Sequence, residues 1–310
     1  MFRRGQAVKR GDRLMVPEAE FRSYYGRPVL KQPVWKVPDV PAYLYLGGLA
    51  GASSTMALCA DLTGRRRLAR SGRLAAAVGA TASVGALIHD LGRPTRFLNM
   101  LRVLKPTSPL SIGSWILAPF SALSGAGVAS ELTGRLPALG RAAATTAGVI
   151  APAMTTYTAV LLADTAVPGW HEAYRELPFL FAGSAVSSAG AVGMLAAPAE
   201  SGPARRMAVA GAALEFAAGR SMHQRIGVVD EVYRQGRAGA VWRAARVLTG
   251  LGAGAALFAG RSRPAAIASG LCLTAGAVAT RYAIFEAGRA SVSDPRYTVV
   301  PQRDRLEARR

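Results

Sequence analysis

Eight apolar stretches, each long enough to cross a lipid bilayer, divide this chain almost from end to end. They cover residues 40–62, 74–91, 109–131, 140–163, 178–197, 207–223, 240–260 and 264–286. An α-helix rises about 1.5 Å per residue, so roughly 20 apolar residues span a hydrocarbon core of about 30 Å. The pattern predicts an all-α, polytopic membrane protein with eight transmembrane helices.

Most charged residues lie between these stretches. Of the 310 residues 51% are hydrophobic, and the formal net charge is +20. In a soluble protein such a charge would suggest nucleic-acid binding. Here the arginines flank apolar stretches, where they anchor helix ends and meet anionic lipid headgroups. We therefore expect a multi-pass protein of the cytoplasmic membrane, with the lipid bilayer and no nucleic acid as its surroundings.

The stretches form one membrane domain, residues 40–287, between an N-terminal arm (1–39) and a C-terminal tail (288–310). Eight crossings place both ends on the same side of the membrane. The loop after the first stretch is a strong cytoplasmic signal, because it carries five arginines: Arg65, Arg66, Arg67, Arg70 and Arg73. This signal predicts both termini outside, although the two tails and the 224–239 loop are also basic.

Small and aromatic residues have ordinary structural roles in such a domain. The spacings Gly47-xxx-Gly51 and Gly250-xxx-Gly254 predict seams where helix backbones approach closely. Trp35, Trp115 and Trp170 lie near predicted membrane interfaces and are expected to be anchors there.

The sequence predicts no metal site within this chain. Cys59 and Cys272 have no cysteine or histidine neighbour at ligand spacing, which excludes iron–sulfur clusters and structural zinc. Haem b between membrane helices normally needs histidines deep in the bilayer. His89, His171 and His223 all lie at or near the ends of apolar stretches, so no haem is expected.

Residues 89–115, HDLGRPTRFLNMLRVLKPTSPLSIGSW, are the most distinctive part of the chain. Pro94 disfavours helix at the preceding residue, so the second helix should stop near Gly92. The apolar spacing over residues 97–105 predicts a short helix lying on the membrane interface.

The end of the second helix therefore gathers titratable and charged groups at a membrane–water boundary. His89 and Asp90 should lie in its last turn, with Arg93 and Arg96 folding back over the helix end. An alternative is purely structural, with Asp90 pairing with Arg93 and Arg96 contacting lipid phosphate.

This segment resembles the signature of the NrfD/PsrC family, the membrane subunits of polysulfide reductase and related molybdenum or multi-haem oxidoreductases. Four other segments resemble the same family, in order, so that the resemblance covers about residues 35–303: YLYLGGLAG (43–51), YTAVLLADTAVPGW (157–170), ELPFLFAGSAVSSAGA (176–191) and AGRASVSDPRYTVVPQR (287–303).

The resemblance implies eight transmembrane helices in two four-helix bundles, without a prosthetic group of their own. It also implies that menaquinone or ubiquinone binds near one membrane face. The expected partners are a ferredoxin-like iron–sulfur subunit with four clusters and a molybdopterin catalytic subunit, of the formate dehydrogenase, polysulfide reductase or nitrite reductase type. The chain alone would then catalyse nothing.

Quinol oxidation releases two electrons and two protons, so a quinone site needs hydrogen-bonding groups and a proton route. Tyr157 matches the tyrosine of the family's Tyr-x-Gly-type motif, with Ala159 where glycine is usual. The candidate quinone-binding residues are Tyr157, His89, Asp90 and Arg93. A buried tyrosine bonded to a neighbouring helix is the alternative role for Tyr157.

The resemblance leads to two further expectations, one for the start of the first span and one for the partner surface. In polysulfide reductases, polar residues at the start of the first span also contact quinone. This chain has Ala42, Tyr43 and Tyr45 there, without histidine or asparagine, so that binding mode is not expected to be copied directly. Arg96 and Lys105 are expected nearer the partner surface.

Two charges lie well inside apolar stretches, where insertion costs at least ~2.5 kcal/mol each. They are Glu215 in the sixth stretch and Arg281 in the eighth. The two predict either a step in a proton path or a structural interhelical pair.

Two other functions are consistent with a polytopic chain. One is a secondary transporter, although no pair of proline- or glycine-broken stretches predicts a discontinuous site at mid-membrane. The other is a structural anchor without quinone turnover.

Overall fold

The computed structural model describes residues 28–308, so residues 1–27 of the predicted N-terminal arm and the last two residues of the tail lie outside it. All regular structure in the described range is helical. The α-helices are α1 (Asp39–Leu62), α2 (Arg66–Asp90), α3 (Thr95–Met100), α4 (Pro109–Thr133), α5 (Pro137–Ala163), α6 (Pro168–His171), α7 (Leu177–Ala196), α8 (Gly202–Arg225), α9 (Glu231–Arg234), α10 (Gly236–Phe258), α11 (Arg263–Ser293) and α12 (Arg296–Glu307). Two 3₁₀ turns, Pro198–Glu200 and Gly227–Asp230, precede α8 and α9.

The predicted all-α class is confirmed. Each apolar stretch lies within one long helix, and at most two residues of a stretch extend past the end of its helix. Five helices are long and apolar enough to cross a membrane, namely α2, α4, α5, α7 and α11. Glycine, serine and threonine lower the mean hydropathy of α1, and arginines lower that of α8 and α10. The chain is thus a multi-pass membrane protein.

Proline and glycine define several helix ends. α1 begins at Asp39, with Pro41 in its first turn. α2 ends at Asp90, and Gly92 follows in the left-handed conformation with φ of 71°. Gly134 ends α4 in the same way, with φ of 69°. Glycine adopts this conformation without the steric penalty of a Cβ atom, so it is a frequent residue just after a helix.

The long helices pack in two neighbouring groups. α1 packs against α2 and α5, and α4 packs against the same two helices. In the second group, α7 and α10 each pack against α8 and α11. α1 also contacts α7 and α11, so it lies between the groups. Many of its residues on several faces are therefore buried.

One predicted glycine seam is confirmed and the other is wrong. A Cβ atom on Gly51 would lie 2.9 Å from the carbonyl oxygen of Ala151, so α1 and α5 approach at backbone distance. By contrast, Gly254 has no heavy atom within 4 Å of such a Cβ position. The close contact of α10 is at Gly252 instead, where a Cβ atom would lie 2.9 Å from the backbone nitrogen of Leu273. The four-residue spacing is present on both helices, but only one face of α10 meets α11.

Trp170 is not the interface anchor that the sequence predicted. Its side chain is fully buried, and its indole nitrogen donates a hydrogen bond of 2.8 Å to the carbonyl oxygen of Ile284 on α11. Trp35 stacks on it with 5.3 Å between ring centroids. The pair therefore attaches the segment before α1 to α11, whereas Trp115 is exposed as expected.

Two of the five arginines predicted in the loop after the first stretch lie within α2 and are paired with acids from other helices. Arg73 binds Asp61 of α1 at 2.5 Å and Glu131 of α4 at 2.8 Å, and Arg70 lies 3.7 Å from Glu131. These ion pairs join α1, α2 and α4 at one end of the protein.

The C-terminal tail is largely helical. α11 continues past residue 287 to Ser293, so the predicted boundary falls inside this helix. α12 then covers most of the remaining chain.

Candidate functional site

The segment after α2 follows the predicted course at its start but not at its end. His89 and Asp90 occupy the last turn of α2, and the chain leaves the helix at Gly92. The short helix α3 begins directly after Pro94. The prediction of a helix over residues 97–105 is wrong in its bounds, because Leu101 and the residues after it up to the start of α4 are not helical.

The two titratable groups at the end of α2 bind the start of α1 and the segment before it. His89 Nδ1 lies 2.7 Å from a carboxylate oxygen of Asp39, the first residue of α1. The carboxylate of Asp90 accepts a hydrogen bond of 2.9 Å from the backbone nitrogen of Lys36. No ion pair joins Asp90 to Arg93 in the described part of the chain. The structural partner of Asp90 is thus the backbone of Lys36 and not the side chain of Arg93.

The basic residues of this segment are on the surface. Arg93, Arg96 and Lys105 are all exposed. Arg96 folds back over α2, as predicted, and donates a hydrogen bond of 3.2 Å to the carbonyl oxygen of Leu91. Between residues 28 and 308, Arg93 has no hydrogen bond or ion pair with another side chain, so its guanidinium group is available to a ligand or partner.

Tyr157 is buried in α5, and its hydroxyl group forms a hydrogen bond with the hydroxyl group of Tyr43 on α1. The two rings meet edge to face, with centroids 6.3 Å apart. Gly113 of α4 leaves room for the Tyr157 ring, since a Cβ atom there would lie 2.7 Å from its Cε2 atom. Each hydroxyl can donate one hydrogen bond and accept others. One hydrogen bond between them therefore leaves one hydroxyl hydrogen for another acceptor.

α1 connects the histidine to the tyrosine pair. Asp39 and Tyr43 are four residues apart and share a face of α1. Tyr43 thus lies about 6 Å further along the helix axis than Asp39. The His89 side chain is 77% exposed, that of Asp39 is 13% exposed, and Tyr43 is buried. Polar groups therefore lead from the surface toward two phenols.

Sequence reasoning identified His89 and Tyr157 but missed the two residues of α1 that join them. Asp39 was only the last residue of the predicted N-terminal arm, and Tyr43 was considered only as a departure from the family pattern. The four-residue spacing of an acid and a tyrosine at the start of a helix was the available signal. It could not reveal that Asp39 faces α2 and that Tyr43 faces α5.

Arg281 is buried and binds two other helices of the core. Its Nη2 atom donates a hydrogen bond of 2.8 Å to the carbonyl oxygen of Phe181 on α7, and its Nε atom donates one of 3.4 Å to that of Leu44 on α1. The guanidinium group also lies 3.7 Å from the centroid of the Phe181 ring. This contact is a cation–π interaction in a desolvated setting.

Glu215 and Arg281, predicted to be either a step in a proton path or an interhelical pair, form no direct ion pair within the described residues. Glu215 instead accepts a hydrogen bond of 2.6 Å from the hydroxyl group of Thr280, the residue before Arg281. Its second carboxylate oxygen is buried without a hydrogen bond, as is Nη1 of Arg281. The sequence placed both charges correctly in the interior but could not give their side-chain directions.

Ion pairs stabilise the segments that follow α8 and α11. Arg296 contacts Glu231 of α9 at 2.5 Å, and Arg305 of α12 contacts Glu172 at 2.7 Å. The hydrogen bond between Arg296 and the Tyr297 hydroxyl, together with the Glu231 charge, raises the pKa of Arg296 above its ordinary value. α12 is therefore attached to the rest of the protein by charge-assisted contacts.

No group of three or more histidine, cysteine, aspartate or glutamate side chains is placed to hold a metal ion between residues 28 and 308. The absence of haem and iron–sulfur clusters stays a prediction. The candidate site instead offers phenol, imidazole, carboxylate and guanidinium groups, which bind an organic ligand through hydrogen bonds.

A known protein family matches a large part of the chain. The family described as polysulphide reductase, NrfD matches residues 30–209, which run from the segment before α1 into α8. No curated protein matches the chain significantly. The matched range covers more than half of the chain and includes the tyrosine pair and the end of α2. The chain therefore belongs to the NrfD family, and the predicted resemblance is confirmed.

Proposed function

We propose that this chain is a quinone-interacting membrane anchor subunit of a respiratory oxidoreductase. It would pass electrons between the membrane quinone pool and an iron–sulfur partner of a molybdopterin enzyme. The observation that carries the proposal is the buried Tyr43–Tyr157 hydrogen bond one helical turn from the Asp39–His89 contact. Membership of the NrfD family, whose members are membrane subunits of oxidoreductase complexes, supports it.

The residues of the tyrosine pair fit a quinone headgroup. A quinone, when bound, carries two electrons together with two protons, and its carbonyl oxygens accept hydrogen bonds. Tyr157 or Tyr43 has a hydroxyl hydrogen left to donate to such an oxygen. The pair is buried, so the donated hydrogen bond would be formed away from competing water.

His89 and Asp39 provide groups that exchange protons with water. The imidazole lies at the surface and contacts the carboxylate of Asp39, so the two groups can pass a proton between them. A proton taken up near the phenols would have only about one helical turn to travel to this pair. Asp90 positions the segment before α1, and Arg93 supplies an exposed positive charge beside the site.

The exposed residues Arg96 and Lys105 are proposed to lie on the surface that binds the iron–sulfur partner. They follow His89 in the segment between α2 and α4, where both side chains are exposed. A ferredoxin-like subunit with four clusters bound there would come close to the tyrosine pair. The catalytic chemistry would be located in a third, molybdopterin-containing subunit of the formate dehydrogenase, polysulfide reductase or nitrite reductase type.

We also propose that all eight long helices cross the cytoplasmic membrane as two four-helix bundles. The closed ring of contacts α1–α2–α4–α5 and the closed ring α7–α8–α10–α11 support this arrangement. Both chain ends would then lie on the same side, and the arginine-rich loop after α1 would be cytoplasmic. In this arrangement the candidate site lies at the outer face of the cytoplasmic membrane.

Cysteine labelling tests the eight crossings. In a chain with Cys59 and Cys272 replaced by serine, Val34→Cys and Gln302→Cys should react with a membrane-impermeant maleimide in intact cells. Arg67→Cys and Arg261→Cys should react only after the membrane is opened. If only the five most apolar helices crossed, the odd number would place residues 34 and 302 on opposite sides, which would contradict the proposal.

A single hydroxyl deletion tests the quinone site. Tyr157→Phe removes the hydrogen bond with Tyr43 and one potential donor, so we expect the Kd for a quinone analogue to rise about 2- to 10-fold in the intact complex. Quinol-linked turnover should fall as well. The matched control is Tyr282→Phe on α11, half-buried and outside the pair.

The quinone proposal does not survive if Tyr157→Phe binds the analogue and turns over like the wild type. A complex that retains its iron–sulfur partner but shows no quinone binding would indicate a structural anchor. A chain that purifies with neither would favour a transporter.

Replacement of Glu215 separates charge compensation from proton transfer. We propose that its carboxylate stabilises the buried Arg281 charge. Glu215→Gln should therefore lower the free energy of unfolding by roughly 3 kcal/mol, which is measured in detergent as a lower melting temperature. Arg281→Met in the same chain should recover part of that loss, as a double-mutant cycle would measure. A Glu215→Gln protein of normal stability with impaired proton-coupled turnover would instead indicate a proton path.

A further inference from the structure

A cavity of about 810 Å³ opens between the second half of α8, α9 and the first half of α10. It lies C-terminal to residues 30–209, the range that matches the NrfD family, and it includes neither residue of the tyrosine pair. Four arginines line it: Arg220, Arg234, Arg243 and Arg246.

The cavity has a strong positive charge. Arg234 is paired with Asp230 at 2.5 Å, but none of the other three arginines has a carboxylate at ion-pair distance within the described residues. Arg243 donates a hydrogen bond of 2.9 Å to the carbonyl oxygen of Arg234, which leaves its charge uncompensated. Guanidinium groups bind phosphate oxygens through paired, charge-assisted hydrogen bonds. The arrangement therefore suits a phosphate group.

Aromatic rings hold the wall of this cavity in place. His223 and Tyr233 both meet the ring of Trp242 edge to face, with centroids 5.3 and 6.0 Å away. His223 is bound to Asp230 as well. Arg246 lies over Phe216, 4.9 Å from the ring centroid. The guanidinium groups are thus presented by a packed surface that needs little rearrangement to receive a ligand.

Exposed apolar side chains lie beyond the cavity, toward the middle of both helices. Val247 and Leu251 follow Arg243 by four and eight residues on α10, and they are 60% and 61% exposed. Leu214 on α8 is 38% exposed. Since Arg243 is seven residues from the start of α10, it lies about 10 Å along the helix, with the apolar residues deeper. This order of charge and apolar surface matches that of a lipid headgroup and its acyl chains.

We propose that this cavity binds the phosphate of an acidic phospholipid, with the acyl chains along Leu214, Val247 and Leu251. The inference rests on the proposed crossing of the membrane by α8 and α10. Soluble phosphate compounds share the headgroup chemistry, but they would gain nothing from the apolar surface. That surface selects the lipid as the source of the phosphate.

Lipid titration into the purified complex tests the proposal, with native mass spectrometry to count retained lipids. The probes are cardiolipin, phosphatidylglycerol, zwitterionic phosphatidylcholine and soluble glycerol 3-phosphate. The test variant is Arg220→Gln/Arg243→Gln, since both side chains are exposed and their loss should not disturb folding. Arg67→Gln/Arg141→Gln is the matched control, with two exposed arginines removed elsewhere.

We expect the wild type to retain the acidic lipids in preference to phosphatidylcholine. The test variant should bind them roughly 10- to 30-fold more weakly, because each basic residue near the surface contributes about a fivefold factor in affinity. The control should change less than twofold, and Arg220→Lys/Arg243→Lys should keep most of the affinity. Glycerol 3-phosphate should compete poorly.

Three results would overturn the proposal. One is equal retention of acidic lipids by the test variant and the control. Another is competition by glycerol 3-phosphate as strong as that by intact lipid, which would identify a soluble ligand. The third is loss of the iron–sulfur partner from the test variant without loss of lipid, which would identify a protein-binding surface. Lipid retention is measured without quinone turnover, so the lipid proposal can fail while the quinone proposal stands, and the reverse.

Discussion

The position of α1 between the two groups of helices is the constraint on which the candidate site depends. Close backbone contact at Gly51 holds α1 against α5, and Arg281 binds it from the other side through the carbonyl oxygen of Leu44. Leu44 is the residue after Tyr43. The buried guanidinium group therefore fixes α1 at the level where its tyrosine meets Tyr157.

A charge in the core is costly unless its hydrogen-bonding capacity is used. Arg281 uses backbone carbonyl groups and an aromatic ring in place of a direct carboxylate partner. Glu215 contacts the neighbouring residue Thr280 rather than the guanidinium group. This arrangement joins α11, α7 and α1 in one interaction, so the second group of helices positions a site built mainly from the first.

The sequence predicted the helices well, because length and hydropathy are local properties. It also predicted the stop after His89 and Asp90, since Gly92 and Pro94 are local signals. It failed wherever the outcome depended on which face of a helix meets another. Gly254 faces open space, Trp170 is buried rather than interfacial, and Tyr43 proved to be the partner of Tyr157. Each of these is fixed by tertiary packing, which a single sequence does not specify.

The central claim is that a quinone headgroup binds at the tyrosine pair beside the end of α2. A photoreactive quinone analogue, crosslinked in the intact complex and mapped by peptide mass spectrometry, measures this most directly. The account predicts crosslinks in the peptides that contain Tyr43 and Tyr157, with loss of labelling when excess native quinone is added. Competable crosslinks confined to other helices, such as the arginine-lined cavity of α8 and α10, would contradict it.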